Sequence, residues 1–432
     1  MAGEISFLTL DPGHFHAALV QKEMYPEVSP RSRVFAPLGP DLLAHLERIA
    51  GFNRRTDRPT TWELDIHAGV DFARHAFSQP PGSVVILAGF NARKIDYIRQ
   101  AVAAGMHVLA DKPWIINPAD LPKLQEALAT AERSGLIAYD IMTERSEITS
   151  ILQRALVNDP DVFGSAVAGT PEEPGVFMDS VHFLKKQVAG LPLRRPAWYF
   201  DIKQQGEGLS DVGTHLVDLA MWIAQPDQAI TAARDVRILA ARRWPTIVTR
   251  DDFRQITGQA DFPDFLKSQL DGDCLPYFCN NRVTYTLCGI HVVLNVAWGL
   301  EAEPGAGDTH MASFRGTKSK IEIRQGKDEN FKSELFVMPT SGADLRGALE
   351  KRIASWQAVH PGVTLATSKT GFHVVVPDRL RIGHEAHFAA VVRRFLRYVK
   401  KREPLPAWEN PNMLAKYHVT TRGVEQASTS QP

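Results

Sequence analysis

Cysteine is scarce in this chain: Cys274, Cys279 and Cys288 are the only three in 432 residues. Any disulfide scheme leaves one over, and their spacing lacks a paired metal-ligand motif, so they are expected to be buried thiols in a reducing compartment. Net charge is absent as well, because 49 basic residues balance 49 acidic ones. Without a basic block, neither nucleic acid nor an anionic membrane is an obvious partner, and a small-molecule substrate is expected. No apolar run approaches the roughly 20 residues that span a bilayer. Met1-Ala2-Gly3-Glu4 enters a strand pattern without a charged-then-apolar leader, so a cytoplasmic protein is expected. Also missing are internal repeats and an intact Gly-x-Gly-x-x-Gly fingerprint.

What is present divides in two. A chain of this length exceeds what one core usually supports. The stretch from Ser83 to Trp114 reads as strand, helix and strand. Val84 to Leu87 form a β-branched apolar run, and Gly89 turns the chain out of the sheet. Ile95, Ile98 and Val102 repeat at helical spacing, and Gly105 stands where a C-cap belongs. Met106 to Ala110 return as a buried strand that ends in Asp111-Lys112-Pro113. Ligands of open α/β sheets collect at that carboxyl edge.

Upstream, Ile5 to Leu10 predict the first strand, and Asp11-Pro12-Gly13-His14-Phe15-His16 the loop into a helix containing Ala18, Leu19 and Val20. Strand, glycine turn and helix start form a site for a dinucleotide pyrophosphate, because unpaired N–H groups and the helix dipole favour anions. Only Gly13 keeps a fingerprint glycine; Asp11 and His16 occupy the first and third positions. Asp11 is read as capping the helix. The His-x-His pair is read as helix-entry polarity able to donate to a phosphate, so no metal is expected. Arg33 to Ala36 predict the second strand, which lacks the ribose-binding acid of an NAD site, and no arginine marks an NADP site. The cofactor choice leans slightly to NAD. Residues 51 to 65 look like an insertion.

Asn117-Pro118 opens a helix whose Leu121, Leu124 and Leu128 share a face, and Leu136 to Ile141 predict the last strand of a nucleotide-binding domain spanning 1–140. From 141 to 420 the pattern shifts to alternating runs, at 164–168, 283–288, 291–296 and 320–323, which predict an antiparallel sheet. His384 to Lys400 read as an amphipathic packing helix, and 421–432 as a loose polar tail. Asp211, His215 and Asp218 fall at i, i+4 and i+7, one face of a helix, and Gly208 and Gly213 suggest a close approach there. His182, Lys185, Lys186, Arg194, Arg195, Trp198, Tyr199 and Asp201 combine rings and donors of the kind that hold a sugar.

Two of these stretches resemble the Gfo/Idh/MocA family, named for glucose-fructose oxidoreductase, inositol dehydrogenase and a rhizopine-catabolism protein. Ala104-Gly105-Met106-His107-Val108-Leu109-Ala110-Asp111-Lys112-Pro113 is similar to its strand followed by Glu-Lys-Pro, with Asp in place of Glu. Asn91 matches its Asn-x-x-His asparagine, with Lys94 at the histidine position. Gly206 to Asp218 matches its Gly-Gly-x-x-x-Asp-x-Gly-x-His-x-x-Asp pattern at Asp211, Gly213, His215 and Asp218, departing at Glu207. The likeness runs from residue 5 to about 220 and beyond that rests on domain type.

The resemblance implies a Rossmann-like, doubly wound parallel sheet followed by an α+β domain with an open-faced, mainly antiparallel sheet, and association as a homodimer or homotetramer. It implies NAD or NADP as cofactor, held around Gly13, His14, Phe15, His16, Gly89, Asn91, Asp111, Lys112 and Pro113. Lys112, Asp211 and His215 would be catalytic, with Arg145 and the His182, Trp198, Tyr199 group facing substrate; for Arg145 an ion pair with Glu144 or Glu147 is the competing reading. The reaction is hydride exchange with a secondary hydroxyl of a sugar, polyol or derivative. Rivals are a glycosidase that oxidises its substrate transiently with no net redox change, and a binding or regulatory protein that retains the fold.

Overall fold

The computed structural model describes residues 5–188, 191–340 and 342–429, and the chain forms two compact units. Met1–Glu4 and the last three residues of the expected tail lie outside the described residues. The first unit takes the chain up to Thr143, Lys203–Gln205 and Gly383–Tyr417; the second takes Glu144–Ile202, Gly206–Ile382 and the C-terminal remainder.

Six strands build the first unit: β1 (Phe7–Leu10), β2 (Arg31–Ala36), β3 (Glu63–Ala68), β4 (Val84–Leu87), β5 (His107–Ala110) and β6 (Ala138–Asp140). Their order is β3-β2-β1-β4-β5-β6, and every pairing is parallel. This is the doubly wound arrangement, whose strand order reverses between β1 and β4. The central strands are wholly buried, as continuous apolar runs require when both faces are covered. Alternate residues feed two cores. Leu8, Leu10, Val85 and Leu87 meet the helices Asn91–Ala103 and Leu121–Arg133. Phe7, Val84 and Ile86 meet Phe388, Val391, Val392 and Phe395 of the helix His384–Val399, so the packing role read for that helix holds.

Two expectations change here. Residues 51–65 are no insertion: they finish the helix Pro40–Arg54 and enter the edge strand β3, whose exposed alternating pattern hid it. The loose tail is instead helical, because Glu409–Thr429 forms one helix. Tyr417 donates to Asp140 at 2.7 Å and the Lys416 ammonium sits 3.0 Å from the same buried carboxylate, which anchors the helix on β6. The polar end at 421–429 carries too few apolar residues to announce a helix.

The second unit holds β7 (Val176–Lys185), a small ribbon of β8 (Gln187–Val188) and β9 (Leu191–Pro192), then β10 (Val236–Thr249), β11 (Cys274–Leu287), β12 (Ile290–Glu301), β13 (Thr309–Arg315), β14 (Ser319–Gln325), β15 (Glu334–Pro339), β16 (Thr364–Ser368) and β17 (Gly371–Val375). Nine of them form one sheet, β10-β11-β12-β7-β13-β14-β15-β17-β16, antiparallel except where β12 meets β7. Of the expected strands, 164–168 makes only an isolated bridge, Ala166 to Gly316. The cysteines divide by position: Cys279 is buried on β11, which pushes its thiol up to about 12, whereas Cys288 is exposed in the turn before β12, against the expectation of buried thiols.

Buried histidines make the chain acid-sensitive. Burial lowers His16 to about 3 and His45 to about 4. A folded-state value below the unfolded one, about 6.5, means the unfolded chain binds the extra proton as pH falls. Stability is therefore full above pH ~6.5 and lost progressively toward pH ~4. Neither ring nitrogen of His45 has a hydrogen-bond partner. His45→Leu is expected to flatten the loss by up to about 1.4 kcal/mol per pH unit, measured by urea melts across that range; an unchanged slope would assign the acid sensitivity elsewhere.

Candidate functional site

In the first unit the carboxyl ends of β1, β4 and β5 bring most of the expected cofactor positions together. Gly89, at φ +101°, lies so close to the first loop that a Cβ would meet Gly13 and the His14 nitrogen at 2.8 Å. His14 N–H donates to the Ala88 carbonyl at 3.1 Å. Glycine at both places lets two backbones touch beside the point where the strand order reverses. The helix after this loop is a single turn, His16–Leu19, and Asp11 does not cap it. Its carboxylate accepts instead from Tyr97 at 3.3 Å and pairs with Arg93 at 3.2 Å, because Asp11 adopts φ +49° and turns away from the helix start.

His16 is buried where the third fingerprint glycine would stand, packed on Phe388 and 2.9 Å from Asp111. His14 stands 3.5 Å from the same Asp111 oxygen, and Phe15 packs edge-on to His16. Burial pushes the Asp111 carboxyl up, but His16, the hydrogen bonds from both imidazoles and the charge of Lys112 hold it well below the usual carboxylate range. Burial keeps the His16 ring neutral, which makes it the hydrogen-bond donor to an ionised Asp111.

Lys94 is the residue the sequence undervalued. Its buried ammonium donates to Asn91 Oδ1 at 2.7 Å and to the carbonyls of Asp111 and Pro113, each at 2.8 Å. It thereby holds both flanks of Lys112, whose peptide to Pro113 is cis. The Asn91 amide donates to the Gln205 carbonyl at 2.8 Å, so the side chain read as a cofactor contact is engaged in holding this turn. Lys94→Met leaves three acceptors without their donor and is expected to cost roughly 2–3 kcal/mol. Urea unfolding measures it; a loss under about 0.5 kcal/mol, the range of an ordinary surface change, would show the clamp to be idle.

In the second unit, Asp211 ends the short helix Gly208–Asp211 and His215 lies on Gly213–Ala224, both half-buried. A Cβ on Gly208 would strike the Cys279 carbonyl at 2.0 Å, so the glycine marks contact with β11. The Leu209 N–H and the Glu207 carboxylate both bond the Asn281 amide, and Arg243 pairs with Glu207 at 2.5 Å. The departure at Glu207 is thus a docking group. Asp218, on the same helix, is buried in a bidentate pair with Arg145 at 2.6 and 2.7 Å. Arg145 is thus engaged in the interior by a residue that neither expectation named.

The aromatic group is real but differently composed. Tyr199 is buried and donates to Asp211 at 3.3 Å. Arg195 lies over the rings of Tyr199 and Trp298, at 4.7 and 5.0 Å. His182 packs at a tilt against Trp298, ring centroids 4.9 Å apart, and bonds Ser180 at 2.9 Å and Asp308 at 3.1 Å. Trp198 is half-buried beside this group in sequence. Trp298 and Asp308 come from β12 and the loop before β13, far along the chain, and no local spacing announced them.

A family model described as "putative oxidoreductase C terminal domain" matches residues 152–428. The chain belongs to this oxidoreductase family. Over its full length it is similar to a "putative oxidoreductase" from Parabacteroides merdae, with 44% identity, a TM-score of 0.96 and coverage of 100% of this chain and 99% of that one. GenD2 from gentamicin A biosynthesis, in complex with NAD, shares 14% identity at a TM-score of 0.59, over 100% of this chain and 96% of that one. KijD10, a 3-ketoreductase from Actinomadura kijaniata in complex with TDP-benzene and NADP, shares 15% at 0.56, over 97% and 96%. At such identity these two show likeness of fold alone. A comparison with curated proteins finds no match. Among the described residues no helix is long and apolar enough to cross a membrane.

Proposed function

We propose that this oxidoreductase is of the Gfo/Idh/MocA kind and exchanges hydride between a nicotinamide dinucleotide and a secondary hydroxyl of a sugar, polyol or related small molecule. The observation that carries the reading is the touching of the Gly13 and Gly89 backbones beside the reversal of strand order, with Asp111-Lys112-Pro113 clamped at the next strand end. Gly13, His14, Gly89 and the β5 turn would hold the dinucleotide, and Arg93 neutralises the one carboxylate of the loop that would repel a phosphate. The fold neighbours solved with NAD and NADP support this. The lean is to NAD, because β2 ends in Ala36-Pro37-Leu38 without an arginine.

When bound, the nicotinamide accepts or returns the hydride. Of the residues that the resemblance makes catalytic, His215 is suited to taking a hydroxyl proton near neutrality and Lys112 to donating to an oxygen as its charge develops, or to serving as the base itself. Asp211, held by Tyr199, orients the imidazole or a neighbouring hydroxyl. Arg195 and Trp298 present a cation and a ring edge for the sugar. A cytoplasmic homo-oligomer associating through the open sheet completes the proposal. Native mass spectrometry of the purified chain, repeated after denaturation, tests it: release of a dinucleotide, or NADH formation with a sugar panel, is expected. Absence of both, with NAD and NADP each failing to bind by calorimetry, removes the reading.

A further inference from the structure

Beside the glycine contact lies a group of side chains whose metal-ligating chemistry the proposed hydride reaction does not call on. His14, His16 and Asp111 each offer a ligand atom, and these atoms all lie within 4.8 Å of one another. His16 Nδ1 is 2.9 Å and His14 Nδ1 3.5 Å from the same Asp111 oxygen. Bonds of roughly 2.0–2.1 Å in a tetrahedral shell separate ligand atoms by about 3.3 Å. The two spacings to Asp111 lie on either side of that value. The geometry points to a transition-metal site in the first unit, formed by His14, His16 and Asp111, with its remaining position open.

Two imidazoles and one carboxylate with an open place are a ligand set for Zn²⁺, Co²⁺ or Fe²⁺, ions that gain from nitrogen ligation. Hard Mg²⁺ and Ca²⁺ prefer all-oxygen shells. The opposing charge is Lys112, which acts on Asp111; it disfavours ions held by charge alone more than ions held by nitrogen donors. His384 stands by, its ring centroid 5.6 Å from that of His16. Backbone order supports the site: His14 is fixed by its bond to Ala88, and Asp111 by Lys94 on its carbonyl. Among the described residues a second trio, His67, Asp71 and His75, has comparable spacing. It is more open, and its carboxylate already serves both imidazoles and Arg74. It is therefore the control rather than the site.

The test uses the full chain, treated with a chelator and titrated with cobalt chloride. One equivalent of Co²⁺ is expected to bind with visible d–d absorption, and proton spectra are expected to show paramagnetically shifted N–H signals from two imidazoles. His14→Ala, at a partly exposed position, and Asp111→Asn should each weaken binding by at least the roughly 10- to 100-fold that loss of an outer-shell partner costs. His75→Ala should leave it unchanged. No saturable Co²⁺ binding by the unaltered chain, or binding that survives His14→Ala and disappears in His75→Ala, overturns the proposal. The shifted signals need no variant, so misfolding of a mutant does not obscure the result. The metal site shares His14 and the β5 turn with the proposed dinucleotide site, but the readouts separate: Co²⁺ binding without dinucleotide release supports the metal site and counts against the proposed function alone.

Discussion

His215→Ala is expected to lower kcat for hydride exchange by about 10²- to 10⁴-fold, the range supplied by one positioned acid–base group, while the urea midpoint stays near that of the unaltered chain. His215 is half-buried, so its truncation empties little core. Lys112→Met is expected to fall in the same range, since a preorganised donor to a developing alkoxide is worth about 10²–10³. The two variants differ in their pH profiles. On the proposed roles, His215→Ala is expected to remove the low-pH limb of kcat/KM, whereas Lys112→Met is expected to lower the curve without changing its shape. Stopped-flow NADH fluorescence over pH 5 to 9 reads both. If His215→Ala retains the full rate with a substrate the unaltered chain turns over, the imidazole is a bystander. Because Glu207, Asn281 and Gly208 seat the preceding helix on β11, Glu207→Ala is expected to reproduce part of the His215 defect without touching the reacting atoms.

The largest stability effect is expected from Asp218→Ala, which leaves the Arg145 guanidinium buried without its carboxylate. Both side chains are 5% exposed and joined by two short bonds. Breaking such a pair from one side costs about 3–5 kcal/mol, because an uncompensated charge remains in the interior. Exchanging both partners for apolar residues of similar volume is often neutral. Arg145→Met with Asp218→Leu is therefore expected to recover most of the loss. Urea unfolding of the single and double variants closes the cycle, and a single-variant cost below about 1 kcal/mol, the value of an exposed pair, would show that water reaches this pair. Arg145 would return as a substrate contact if the double variant kept its stability and lost only KM.

Much of the site was readable from residue order, for a physical reason. Buried parallel strands demand continuous apolar runs, and turns at their ends demand glycine, so Val84–Leu87, Gly89, Gly105 and Asp111-Lys112-Pro113 could be placed from local pattern. The same holds for the helix His384–Val399, whose apolar stripe has one period. Edge strand β3 was missed because an exposed strand has no such run. The helical end of the chain was missed because residues 421–429 carry too few apolar positions to show a stripe.

Local sequence by itself determined the doubly wound first unit, the sheet of the second, and the residue types offered for proton transfer. Tertiary structure alone decided which charges neutralise one another: Arg145 with Asp218, Asp11 with Arg93, Asp111 with His14 and His16. Those pairings join residues separated by tens of positions. Charge carries no periodicity along the chain, and a buried ion is stable only beside the partner that folding brings to it.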